Sequence, residues 1–137
     1  MVPTAVNRSL FRRNIDPASV IMGDFKKLRV WQAAREFVLL SNNAIKKLPD
    51  HERYVLADQW RRAAYSVPLN IAEGTGRKGP REFCRYLGFA LGSLHEIEAI
   101  LELIEGLEYV TPPQIAELKS KRADCARMVY GLIQRFS

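Results

Sequence analysis

The segment GTGRKG carries three glycines, Gly74, Gly76 and Gly79, in the pattern Gly-x-Gly-x-x-Gly of a dinucleotide-binding turn. Such a turn follows a buried parallel strand and opens a helix that points at a pyrophosphate. Here the preceding residues have helical spacing, and no stretch of the chain alternates with the period of a strand. A P-loop is excluded because Lys78 is followed by glycine rather than by Ser or Thr. We therefore interpret the glycines as a flexible break between two helices that presents Arg77 and Lys78 to solvent.

Two histidines and two cysteines are the other side chains that could do chemistry. His95 shares a helix face with Glu98 and Glu102, but one imidazole and two carboxylates near a surface are typical of a solvated stripe. Cys84 lies eleven residues before His95 on the same helix, about 16 Å away along its axis, so the two cannot act as nucleophile and base. Cys125 could meet a histidine only through tertiary packing. We expect no metal, no cofactor and no catalytic residue.

The composition is that of one globular domain. The chain has 137 residues, of which 47% are hydrophobic and 26% charged, and its formal net charge is +6. This basic balance permits contact with nucleic acid or an anionic surface. The two cysteines lie among apolar residues, which is typical of a reducing compartment, and no apolar run approaches the roughly 18 to 20 residues of a membrane span. We predict a cytoplasmic protein.

Apolar residues recur with helical spacing in four segments, at 25–47, 51–73, 80–106 and 112–136. Asp50 is the predicted N-cap of the second segment, and Pro68 is expected to kink that helix without ending it. Thr111 and Gln114 have the spacing of a capping box at the start of the fourth. The pattern predicts an all-α fold, an antiparallel up-down-up-down four-helix bundle over residues 23–137.

Residues 1–22 lie outside this pattern. They contain two prolines and show no sustained period, and Met22 lies three residues before the first helical segment. Two interpretations stay open, a flexible N-terminal arm or a start assigned upstream of the true one at Met22.

A polar stripe runs beside the apolar face of the second segment. Its four members fall within about 60° of one another at 100° per residue, and they are Gln59, Ser66, Asn70 and Glu73. One interpretation is a hydrogen-bond network that pairs backbone groups released by Pro68 and caps the neighbouring loop. The other is a small polar pocket, which a ligand bound at Asn70 would favour.

Charge is expected to separate between the two ends of the bundle. One pole collects eight basic side chains, including Arg135, against three acidic ones, and the opposite pole collects three basic and six acidic ones. We predict a phosphate-binding surface from seven of the basic residues, namely Lys26, Lys27, Arg29, Arg77, Lys78, Arg81 and Arg85. The alternative is a solvated end that confers solubility.

The third segment is apolar on most of its circumference, which exceeds what one small bundle can cover. The side away from its core stripe carries Gly88, Gly92, Ala99 and Leu103. Small residues allow close backbone approach, so we predict that this side forms a subunit interface.

Three stretches, FKKLRVWQAA (25–34), QWRRAAYSVPLNIAEGTGR (59–77) and EFCRYLGFALGSLHEIEAILEL (82–103), resemble the four-helix-bundle family of 23S rRNA intervening sequences, also labelled S23. The resemblance covers nearly all of residues 24–137 and leaves residues 1–21 outside, which supports Met22 as the start. It implies a homopentameric ring and no catalytic residue. The family is also similar to accessory proteins of diversity-generating retroelements, whose basic ring surface binds nucleic acid and a reverse transcriptase.

Three functional hypotheses follow. The leading one is a non-enzymatic, oligomeric helical bundle that binds the phosphate backbone of RNA or DNA through its basic pole. The alternative is a protein–protein interaction scaffold with no nucleic-acid role. An enzyme is the third, and no constellation of side chains with plausible geometry supports it.

Overall fold

The computed structural model describes residues 24–137, so both interpretations of residues 1–22 concern a segment outside this range. The described chain forms four α-helices and no strand, which confirms the all-α prediction. The helices are α1 (Arg29–Ile45), α2 (Leu56–Thr75), α3 (Gly79–Gly106) and α4 (Pro112–Phe136). They pack around one apolar core, as in a bundle. None of the helices in this range is long and apolar enough to cross a membrane.

The helix α1 begins four residues later than its spacing predicted. Residues Phe25–Lys27 form a 3-10 turn instead, and the Asp24 side chain accepts a hydrogen bond from the Lys26 amide at 3.0 Å. Leu28 is then extended, with φ −75° and ψ 127°, which separates the turn from the helix.

The predicted N-cap of α2 was wrong. Asp50 begins a 3-10 turn, Asp50–Glu52, and the helix itself starts only at Leu56. The Glu52 carboxylate in that turn accepts a hydrogen bond from the Tyr109 hydroxyl at 2.8 Å. A partner 57 residues away in sequence holds this turn, so local capping signals could not locate the start of the helix.

Both ends of α4 agree with the predicted segment 112–136. The start of the helix is fixed by residues close to it in sequence. The Thr111 hydroxyl accepts a hydrogen bond from the Gln114 amide at 3.3 Å, and the Gln114 side chain accepts one from the Thr111 amide at 3.2 Å. This is the expected capping box. In α2, Pro68 lies inside a helix that continues to Thr75, as predicted.

The interpretation of the three glycines as one flexible break was wrong for Gly74. This residue is buried inside α2, and a Cβ built on it would lie 2.9 Å from the Cβ of Tyr86 on α3. Gly74 therefore permits α2 and α3 to approach closely. Gly79 has φ +83° at the start of α3, a conformation that favours glycine. The connection itself is short and consists of residues 76–78.

The core is filled mainly by large side chains from all four helices. Trp60, Phe37 and Phe83 are almost fully buried. The ring of Phe83 near the start of α3 meets that of Phe136 at the end of α4, with centroids 5.6 Å apart. This contact fixes where the ends of two helices lie relative to each other.

Candidate nucleic-acid interface

Four basic residues cluster where α2 passes into α3, and we call them the basic corner: Arg77, Lys78, Arg81 and Arg85. All four are exposed. They lie on the short connection and the first two turns of α3. Of the seven residues predicted to contact phosphate, these four are brought together by the chain itself.

Aromatic rings support two of the arginines in the basic corner. The Arg77 guanidinium lies 5.3 Å from the centroid of the Tyr86 ring, and that of Arg85 lies 5.6 Å from the same centroid. The Arg85 guanidinium also lies 5.3 Å from the centroid of Phe89. Stacking on aromatic faces restrains the flexible arginine side chains and keeps their charge at the surface. Neither Tyr86 nor Phe89 was predicted to belong to the site.

Acidic neighbours offset only part of this charge. Arg77 pairs with Glu73 at 2.8 Å, and the pKa of Arg77 is raised, first by this hydrogen bond and then by Tyr86. Arg85 pairs with Glu82 at 3.4 Å. Within residues 24–137, no carboxylate lies within 4.0 Å of the Lys78 or Arg81 nitrogen atoms.

The other three predicted residues, Lys26, Lys27 and Arg29, are exposed around the 3-10 turn before α1. This turn is placed by Phe25, whose ring packs on Trp31 at 4.9 Å and lies in one groove with residues 68, 69 and 72 of α2. The start of α1 thus lies beside the second half of α2. Arg135 differs from the exposed residues, because it is half-buried and burial lowers its pKa.

The polar stripe of α2 binds mainly to α3 and to its own backbone. Gln59 donates to Glu96 at 3.2 Å, and the hydroxyls of Ser66 and Ser93 are hydrogen-bonded to each other. Asn70 donates to the backbone carbonyl of Ser66 at 2.8 Å, one turn earlier in α2. Glu73 is held by Arg77. These bonds form a network between α2, its own backbone and α3. The pairing of backbone groups released by Pro68 and the ligand pocket both stay predictions.

The predicted interface residues of α3 lie at the surface. Gly88, Gly92, Ala99 and Leu103 are all exposed, and Leu103 keeps 57% of its surface accessible. A Cβ built at Gly88 or Gly92 would meet nothing within 4 Å. No contact within the described chain therefore requires glycine at either position.

His95, Glu98 and Glu102 line a surface cavity of about 410 Å³ between α3 and α4. The buried Arg122 reaches into it, donating to Glu98 at 2.7 Å and to the Leu94 carbonyl at 3.3 Å. This contact between α3 and α4 was not predicted, although Arg122 is the one polar residue in a row of apolar residues at heptad spacing along α4, namely Ile115, Leu118, Cys125 and Val129. Among residues 24–137, no group of three or more His, Cys, Asp or Glu side chains could hold a metal ion.

Both cysteines are free and neither resembles an activated nucleophile. Burial raises the pKa of Cys125 to about 12 and also raises that of Cys84, which is half-buried. Raised pKa values disfavour the reactive thiolate.

Comparison with known proteins places the chain in a family. The model of the 23S rRNA-intervening sequence protein family matches residues 26–131. A solved structure of a protein with unknown function from the S23 ribosomal protein family of Bacteroides thetaiotaomicron is similar, with 26% identity and a TM-score of 0.71 over 76% of this chain and 97% of that one. The search of curated proteins finds no match. The chain belongs to the 23S rRNA-intervening sequence protein family.

Proposed function

We propose that the protein is a non-enzymatic, oligomeric helical bundle that binds the phosphate backbone of RNA or DNA through the basic corner. The observation that carries this proposal is the arrangement of that corner. It presents four exposed cationic side chains within nine residues. Two of them, Arg77 and Arg85, stack on the aromatic rings of Tyr86 and Phe89. Backbone contact needs charge and reach rather than base-reading geometry, and this surface has both.

The opposite end of the bundle, where α3 ends, supports the proposed separation of charge between the two ends. There Lys119 is enclosed by Glu102 at 3.1 Å and Glu105 at 2.7 Å, and these hydrogen bonds raise its pKa. Its charge is therefore engaged within the chain. The exposed Lys78 and Arg81 have no such partners in the described residues and are available to an external anion.

We further propose that the four helices run antiparallel, up-down-up-down. Two contacts support this topology. The ring of Phe83 near the start of α3 packs against that of Phe136 at the end of α4. Tyr109, in the connection between α3 and α4, donates a hydrogen bond to Glu52, in the connection between α1 and α2. In this arrangement the basic corner shares one end with Lys26, Lys27 and Arg29.

Oligomerisation is proposed through the exposed side of α3, in the five-membered ring that the family resemblance implies. Glycine inside a helix costs roughly 0.5–1 kcal/mol relative to alanine. Nothing in the described chain requires Gly88 or Gly92 to lack a side chain. The close approach of a second copy would explain why glycine occupies both positions. Gly92→Leu should disrupt assembly in light scattering while the monomer stays folded, and an intact ring would contradict this interface.

A charge-reversal experiment tests nucleic-acid binding. Arg77, Lys78, Arg81 and Arg85 are replaced together by Glu, and binding of a labelled RNA hairpin and a labelled DNA duplex is followed by anisotropy at low salt. The matched control carries the same change of net charge elsewhere, with Glu at Lys46, Lys47, Arg53 and Lys121. We expect the corner variant to lose binding and the control to keep most of it. Equal loss in both variants would contradict a localised site.

The alternative is a protein-interaction scaffold, and exposed apolar side chains favour it. Phe89, Leu103 and Leu107 each leave about half of their surface accessible, at 47%, 57% and 50%. Under this hypothesis, a partner captured by the protein survives nuclease treatment and is unaffected by the four charge reversals. We place either role in the cytoplasm, consistent with two free cysteines.

A further inference from the structure

The basic corner continues along α3 into an exposed aromatic ring. Phe89 leaves 47% of its surface accessible. The Tyr86 ring meets it edge to face, with centroids 5.5 Å apart and an interplanar angle of 85°, and the Arg85 guanidinium lies 5.3 Å from the Phe89 centroid. Both contacts restrain the ring. Phe89 is therefore held in place while nearly half of it stays open to another molecule.

We infer that Phe89 stacks on an unpaired base of single-stranded RNA or DNA whose phosphates are bound by the basic corner. The inference rests on the proposed phosphate binding and adds to it the form of nucleic acid that this surface selects. Proteins that bind single strands combine cationic side chains, which follow the backbone, with aromatic rings, on which the bases stack. Guanidinium planes also serve as stacking surfaces. The first turns of α3 carry all of these groups.

The cationic and aromatic groups lie along one side of α3. Arg81, Arg85 and Phe89 follow one another at intervals of four residues, which keeps them on the same side of the helix. Arg81 and Phe89 are eight residues apart, about 12 Å along the axis. At roughly 3.4 Å per nucleotide of a stacked strand, this length corresponds to about three to four nucleotides. A strand whose phosphate is bound at Arg81 can therefore bring one of its own bases to Phe89.

A duplex cannot use this ring in the same way. Its bases are stacked on one another, so it offers a protein its phosphates and the base edges in its grooves. Extruding a base from a duplex costs the energy of unstacking and unpairing it, whereas an unpaired base carries no such cost. Phe89 should therefore favour single strands, while Lys78 and Arg81 bind the phosphates of either form.

Tyr54 provides a matched comparison within the chain. Its ring is 82% exposed, and the Arg53 guanidinium lies 5.8 Å from the ring centroid. Two carboxylates, those of Asp50 and Glu52, belong to the turn just before it. Carboxylates repel phosphate, so this exposed ring is expected to bind no nucleic acid even though it has an arginine beside it. Tyr54→Leu therefore serves as the control for Phe89→Leu.

Salt titrations separate stacking from phosphate binding. Log affinity falls linearly with log salt concentration, and the phosphate contacts set the slope. The affinity extrapolated to about 1 M salt lacks this contribution and reports on stacking. Both leucine variants are measured with a short single-stranded RNA, a DNA strand of the same sequence and the corresponding DNA duplex. Light scattering compares the mass of each variant with that of wild type, because Phe89 adjoins Gly88 of the proposed interface.

We expect Phe89→Leu to lower the extrapolated affinity for single strands by about 5- to 150-fold, the effect of one base stacked on an aromatic ring, and to leave the slope unchanged. Its affinity for the duplex should equal that of wild type, as should every affinity of Tyr54→Leu. Phe89→Trp keeps an aromatic surface and should retain single-strand binding. A loss confined to the RNA or to the DNA strand would identify which of the two stacks on the ring.

An unchanged single-strand affinity of Phe89→Leu would overturn the stacking. The proposed phosphate binding would stand in that case if Lys78→Gln combined with Arg81→Gln still flattens the slope, and it would fall as well if the slope does not change. An equal loss of duplex affinity would also overturn the inference, because a duplex presents no free base face along its length. A lower mass of Phe89→Leu with unchanged affinities would assign the ring to a protein contact instead.

Discussion

Gly74 offers a sharp test of how the basic corner is supported. A methyl group at this position would lie 2.9 Å from the Cβ of Tyr86 and 3.1 Å from Cδ1 of Phe83. Overpacking of a well-filled core costs about 1–3 kcal/mol, whereas replacing a helical glycine by alanine gains about 0.5–1 kcal/mol. We therefore expect Gly74→Ala to lower the free energy of unfolding by about 1–2 kcal/mol.

The matched control is Gly131→Ala on the exposed face of α4. A Cβ there meets nothing within 4 Å, so only the gain in helix propensity remains and the variant should be stabilised by about 0.5–1 kcal/mol. Urea unfolding at one fixed protein concentration measures both free energies. Because Tyr86 carries the stacked Arg77, Gly74→Ala should also weaken binding of RNA. A Gly74→Ala protein as stable as the Gly131→Ala protein would refute the close approach of α2 and α3.

Three further predictions concern the interior and the connections. Glu98→Gln leaves the buried Arg122 without its carboxylate and should cost about 1–2 kcal/mol in urea unfolding; an unchanged free energy would show that the ion pair adds no stability. At pH 8, Ellman's reagent should modify Cys84 slowly and Cys125 only after denaturation, since burial raises the pKa of Cys125 to about 12; rapid modification of both would contradict this burial. Tyr109→Phe should lower stability below pH 10.0, where the neutral hydroxyl donates to a carboxylate that raises its pKa, and the difference from wild type should disappear as the pH rises through that raised pKa. A difference that persists at higher pH would contradict that role of the hydroxyl.

The sequence predicted helices best where their signals are local. The capping residues of α4 lie three positions apart, so its start could be identified from spacing alone. The start of α2 depends on Tyr109, 57 residues from Glu52 in sequence. A pattern of neighbouring residues cannot reveal such a distant contact. Asp50, an acidic residue just before a run of helical spacing, was therefore mistaken for the N-cap of α2.

The same distinction applies to the candidate site. The charges of the basic corner are adjacent in sequence and were predicted together. The aromatic support of Arg85 was not predicted, although Phe89 follows it at the fourth position, a spacing that allows contact on a helix. The contact with the adjacent Tyr86 has no such signal in the sequence. The role of Gly74 could not be predicted, because it depends on how closely two helices approach.

The salt dependence of binding tests the central proposal most directly. Removing one phosphate-binding cation should reduce the slope of log affinity against log salt by about 0.7–0.9. Lys78→Gln combined with Arg81→Gln retains the stacked arginines and should flatten the slope for a labelled RNA hairpin by about 1.5 relative to wild type. The control with Gln at Lys46 and Lys47 should leave the slope unchanged. Equal slopes for wild type and the corner variant would contradict phosphate binding at the basic corner.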